Sequence, residues 1–147
     1  MFRQIGTMNS RWAGPLIIGI GVIAALVAWS VLRLAGVDME VDQGGINPIE
    51  ASDVVVASLI GGFAAWLVHL VMVRVGLAAK WWPSVGSIAL AISMIGPGYY
   101  GEGSDSALAL MALHFATGIV LIYGFAQLSP HPYVAHRRAE RAAHEGR

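Results

Sequence analysis

The stretch ASDVVVASLIGGFAAWLVHLVMVRVG, residues 51–76, decides the fold. From Val54 to Val73 it holds no Asp, Glu, Lys or Arg, and its one ionisable side chain is His69. An apolar run of about 20 residues has the length of a bilayer-crossing helix. Further apolar runs flank it over residues 12–34, 83–98 and 107–128. The pattern predicts an all-α polytopic membrane protein, an antiparallel bundle of four transmembrane helices, with a basic tail over residues 129–147. The loops between the runs are short, as antiparallel neighbours require.

Composition agrees with a membrane class. The 147 residues are 56% hydrophobic and 12% charged, with a mean hydropathy of +0.65. A soluble domain carries about 25% charged residues, so half the usual solvating charge is missing. No cysteine is present, which excludes disulfides, thiolate metal sites and cysteine nucleophiles. With zero net charge there is no uniformly basic surface, so the expected partner is the lipid bilayer and not nucleic acid.

The ends of the runs carry local signals. Arg3 and Arg11 precede the first run, which is longer than a signal-peptide core and is followed by no A-x-A site, so it reads as a retained span. Ser10 is a candidate cap, and Pro15 falls near the first turn, where a missing N–H costs little. Arg33 reads as a side chain reaching the headgroups or as an ion-pair partner of Glu50 or Asp53. In the first loop, Asn47-Pro48-Ile49-Glu50 has the form of a helix start, which predicts a second helix of about 29 residues, roughly 43 Å. The third run is the shortest, roughly 24 Å, so it either continues through Tyr99 and Tyr100 or thins the bilayer. Trp81 and Trp82 stand beside Lys80, where indoles favour the interface. In the tail, His131, His136 and His144 read as solvated.

Charge orients the chain. Eight of the nine Lys and Arg residues lie in the N-terminal lead, the second loop or the tail, and seven of the nine acids lie in the other two loops. The positive-inside rule then predicts a multi-pass protein of the cell membrane with both termini in the cytoplasm.

Small residues mark where helices meet in lipid, because apolar burial supplies no drive there. The second run has Ser58, Gly62, Ala65 and His69 on one face, and the third has Gly86, Ala89, Ser93 and Gly96. These faces are expected to meet, with His69 near the level of residue 90 and in reach of Ser93 or a backbone carbonyl. His69, His114, Ser93 and Thr117 are the candidate ligand-binding or helix-packing polar residues. Intramembrane ionisable groups are functional candidates by default, because an unpaired one in hydrocarbon is costly. The plainer reading is a neutral imidazole hydrogen-bonded across the bundle. A line from His114 through Thr117 towards Gln127, with Tyr123 nearby, is a candidate wet pathway. A b-type haem between His69 and His114 is the cofactor alternative, but the two histidines differ in expected depth by roughly 10 Å. No cofactor or metal is therefore expected.

No Walker loop, G-x-S-x-G, H-E-x-x-H or intramembrane carboxylate occurs, so no enzyme is expected. Three segments resemble a family of small four-helix membrane proteins of actinobacteria, classed as a domain of unknown function. They are VVVASLIGGFAAWLVHLV in the second run, Ser93-Met94-Ile95-Gly96-Pro97 at the end of the third, and Leu110-Met111-Ala112-Leu113-His114 with Gly118 in the fourth. The resemblance covers residues 12–128, implies a four-helix integral membrane protein and singles out His114. It implies no activity. The first functional expectation is an accessory or structural subunit of a larger membrane complex, or a homo-oligomer. The second is a small transporter or ligand-binding bundle built on the histidines, and the third a haem-bearing electron-transfer subunit.

Overall fold

The computed structural model describes residues 10–42 and 44–128, without the side chains of Ser10 and Arg11. Residues 1–9 and the tail, with His131, His136 and His144, lie outside the described residues, and so does the side chain of the Ser10 cap. The element order is α1 (Ser10–Leu34), β1 (Glu40–Asp42), β2 (Ile46–Pro48), α2 (Ala51–Arg74), α3 (Ala78–Ser93), α4 (Ile95–Tyr100) and α5 (Gly103–Leu128). Three helices are long and apolar enough to cross a membrane: Trp12–Leu34, Ala51–Arg74 and Gly103–Leu128. Their outward faces are apolar, with Ile23, Ile60, Leu67 and Leu108 each more than 60% exposed. A soluble fold does not present such a belt to water, and the chain is a largely helical membrane protein.

The helix ends follow from backbone chemistry. Glu50 is extended and caps α2 in a reciprocal box, with its own N–H donating to Asp53 Oδ2 at 2.9 Å. The start expected at Asn47-Pro48 is therefore displaced. Those residues pair instead in a two-stranded antiparallel hairpin, Val41 opposite Asn47. Asp42 Oδ1 shapes the hairpin turn by accepting from the Gly44 and Gly45 N–H groups, both at 3.1 Å. At the other end of α2, Gly76 takes φ +74°, and Leu77 N–H reaches back to the Met72 carbonyl at 2.9 Å. This is a Schellman stop, which needs a residue free of Cβ strain.

The third run starts at Ala78 and not at Pro83, because the Gly76 turn feeds α3 directly. Pro83 lies inside the helix and forgoes one backbone bond. The run does continue through Tyr99 and Tyr100, but as a separate helix. Pro97 has no N–H to give the Ser93 carbonyl, and the helix breaks at Met94 before α4.

The hairpin closes one end of the molecule. Ser106 at the start of α5 donates to the Asp38 carbonyl at 2.8 Å and accepts from the Glu40 N–H at 3.2 Å. Glu102 N–H donates to the Glu40 carbonyl at 3.0 Å, and Val41 bridges Gly101. The loop before α2 and the loop before α5 thus meet at one end. Since α2 leads away from that end, α3 and α4 carry the chain back along the bundle. The hairpin end gathers Asp38, Glu40, Asp42, Glu50, Asp53, Glu102 and Asp105. Arg33 lies there too, and meets Asp38 at 3.4 Å rather than Glu50 or Asp53; its guanidinium also sits 5.9 Å from the Trp29 ring centroid.

Packing is uneven. α1 runs closely along α5 and α2, and α3 along α5, whereas α2 and α3 touch sparsely. Glycines allow the close seams. A Cβ at Gly62 would stand 2.7 Å from Ile18 of α1, one at Gly124 2.6 Å from Ile17, and one at Gly86 2.8 Å from Ile122 of α5. The buried residues form two clusters. One lies near the α2–α3 turn around Ile18, Trp82 and Phe125, and the other lies under the hairpin around Met39, Leu110 and Leu113.

The small faces of α2 and α3 do not meet. α2 turns Gly62 towards α1, and α3 turns Gly86 towards α5. The two helices splay from their shared turn because each has a closer seam elsewhere.

Candidate functional site

The splay leaves a cleft of about 650 Å³ between α2 and the α3–α4 pair, with α5 as its floor. Ala57, Gly61, Ala64 and Val68 form the α2 wall, and Gly86, Ala89, Ser93 and Pro97 the opposite one. Small side chains on both walls are what hold the space open. The hairpin residues Val41 and Ile49, with Tyr100 of α4, bound it at the acidic end, and Trp82 bounds it at the other. From Val54 to Val68 the α2 wall is about 21 Å long. Ala57, Gly61, Ala64 and Ala89 are exposed, so the cleft opens sideways into the apolar belt.

Three of the four polar candidates line this cleft: Ser93, His114 and Thr117. Ser93 Oγ donates to the Leu90 carbonyl of its own helix at 2.7 Å. His114 Nδ1 lies 2.9 Å from the Leu110 carbonyl, one turn back on α5. A carbonyl only accepts, so Nδ1 is the donor and carries the hydrogen. Thr117 follows one turn on, on the same face. Ser58 and the carboxylate-bearing Asp53 also border the space, though Asp53 is committed to the Glu50 N–H.

His69 is elsewhere. It is 2% exposed, boxed between the Trp82 ring at 4.9 Å, edge-on, and the Phe125 ring at 5.3 Å, stacked. It also hydrogen-bonds the Phe125 backbone. Ser93, one of its two expected partners, is out of this box, because α3 reaches α2 only in its first turns. Phe125 stands three turns along α5 from His114, about 16 Å, so the structure does not bring the two imidazoles to one level as the axial ligands of one iron require. Among the described residues no group of three or more His, Asp or Glu side chains gathers as metal ligands do. Tyr123 is 69% exposed and Gln127 is exposed, so neither continues a polar line from Thr117 through the interior.

Trp82 was not among the candidate site residues. It is 2% exposed, donates to the Ile122 carbonyl at 3.0 Å, and walls the cleft from the His69 box. Trp81 keeps the interfacial position, 48% exposed, with Lys80 Nζ 5.3 Å from its ring centroid. Neighbouring helical residues point about 100° apart, so of two adjacent indoles one can face the interface while the other faces the packed interior. That was the available signal.

A family profile covers residues 6–131, which include every described residue. The chain belongs to DUF6069, a family of unknown function. No curated protein and no solved structure matches it. Within this DUF6069 chain, then, the cleft with Ser93, His114 and Thr117 on its lining is the feature from which function is read.

Proposed function

We propose that this DUF6069 protein is a four-span protein of the cell membrane that holds an apolar guest from the bilayer in the α2–α3 cleft. The cleft carries the proposal. Its volume falls within the ~300–1,000 Å³ of small-molecule sites, and its lining is apolar with a few polar groups, as such sites are. A space open to hydrocarbon is filled by hydrocarbon, since an empty one forfeits its dispersion contacts. A spanning helix from a partner needs a groove open at both ends over a core of about 30 Å. This cleft is about 21 Å long and bounded at both ends, which favours a small guest over an accessory subunit's helix.

The fourth span is the α3–α4 pair. It carries the chain from the Arg74 end to the hairpin end, and so supports an even number of crossings. The acids gathered at the hairpin end and the basic residues read for the other end support cytoplasmic termini. The test is to extract the protein in mild detergent and quantify what remains bound by mass spectrometry. One apolar species at fixed stoichiometry is the expected result. A chain that carries no guest, or guests whose amount is indifferent to the bulky substitution Gly61→Leu in the cleft wall, would overturn the reading.

A further inference from the structure

Resting on the proposed guest-binding cleft, we infer that His114 selects the guest by its hydroxyl: the ligand class is a neutral lipid alcohol, aliphatic or phenolic, whose O–H donates to His114 Nε2. The neutral imidazole has one N–H. The Leu110 carbonyl takes it at Nδ1, at 2.9 Å. Nε2 is then a lone-pair acceptor on a half-buried side chain that lines the cleft. Among the described residues, the hydrogen bond found for the His114 ring is the one at Nδ1. At hydrocarbon depth water does not supply one, and an unmatched polar atom there is costly.

Ser93 on the facing wall has the same polarity. Its hydrogen is spent on the Leu90 carbonyl at 2.7 Å, so its oxygen is left to accept. At His114 and Ser93 the cleft therefore offers acceptors and asks for a donor. Thr117, one turn from His114, supplies the complementary hydroxyl, able to donate to the guest oxygen. An alcohol satisfies both at once. A ketone, ester or ether satisfies Thr117 and leaves Nε2 unmatched. A charged headgroup has no counter-charge at this level, because Asp53, the one acid on the lining, stands at the hairpin end and holds the Glu50 N–H at 2.9 Å.

The experiment uses the delipidated full chain in detergent, offered hexadecanol and its methyl ether in separate and competing additions. Retained ligand per chain is counted by native mass spectrometry. Wild type is expected to retain the alcohol about tenfold better than the ether, the scale of one hydrogen bond. His114→Phe should keep ether retention and lose the preference. His114→Gln, which keeps an acceptor oxygen, should restore part of it. Equal retention of both probes by wild type, or a preference that survives His114→Phe, overturns the role of His114 and leaves the cleft reading standing. Retention of neither probe overturns both.

Discussion

Two neighbouring glycines on α2 have opposite surroundings. Gly62 faces α1, and a Cβ built on it would stand 2.7 Å from Ile18. Gly61 faces the cleft, and a Cβ there would meet nothing within 4 Å. The same contrast holds for whole seams. Along α1–α2, α1–α5 and α3–α5, small residues receive a side chain from the facing helix. Along α2–α3, Gly61 on one wall and Gly96 on the other receive none. In lipid a small side chain records close approach only if something approaches. Where nothing does, it makes room.

The largest expected effect breaks the closed side of this comparison. Gly62→Leu forces α1 and α2 apart at Ile18, and overpacking of this kind costs about 3 kcal/mol, the upper end of its range. The loss should appear as a lower melting temperature or a smaller folded fraction in detergent. A melting curve unchanged from wild type would mean that α1 does not pack on α2 as described. The next effect is on the clasp that closes the hairpin end. Ser106→Ala removes the donor to Asp38 and the acceptor of the Glu40 N–H, and Ser106 is only 4% exposed. Stranding those groups costs about 1–3 kcal/mol. Backbone amides of the hairpin should exchange with deuterium faster while those of α2 keep their protection. A smaller loss, about 1 kcal/mol, is expected of Trp82→Phe, which keeps a ring against His69 and gives up the bond to the Ile122 carbonyl. Thermal melting measures it, and a loss several times larger would show that the indole ring itself props α3 against α2.

What was legible in the sequence follows from these same contrasts. The apolar runs were legible because charge is excluded from hydrocarbon, and three of them form helices long enough to cross it. Family membership was legible from the second, third and fourth runs. The hairpin was not: its strands are three residues each, too short for an alternating pattern, and Asn47-Pro48 matches a helix start in isolation. Bonds from Ser106, Glu102 and Gly101, distant in sequence, tie β1 to the far loop and oppose that local preference. Of the polar candidates, Ser93, His114 and Thr117 share one cleft, whereas His69 has its own aromatic box. The seam drawn between α2 and α3 failed because helical spacing says which residues share a face and not which helix that face meets. Ile18, Ile122 and Leu90 decide that here, and nothing about them is distinctive in one dimension.

The smallest expected effect on folding belongs to Gly61→Leu, and it sharpens the comparison most. The new Cβ meets no atom within 4 Å, and replacing glycine within a helix favours the helix by up to about 1 kcal/mol. Melting in detergent should therefore hold or rise slightly, in contrast to Gly62→Leu one residue on. Guest retention should fall, because leucine projects into a cleft of about 650 Å³ from the middle of its α2 wall. The pairing of these two readouts separates three arrangements of the protein. Stable and emptied means the cleft is open in the membrane and occupied by a small molecule. Stable and still loaded places the guest on another surface. A loss of stability like that of Gly62→Leu means that another helix, α3 drawn in or a second copy, covers Gly61 in the bilayer, and the small residues of α2 and α3 then mark a contact after all.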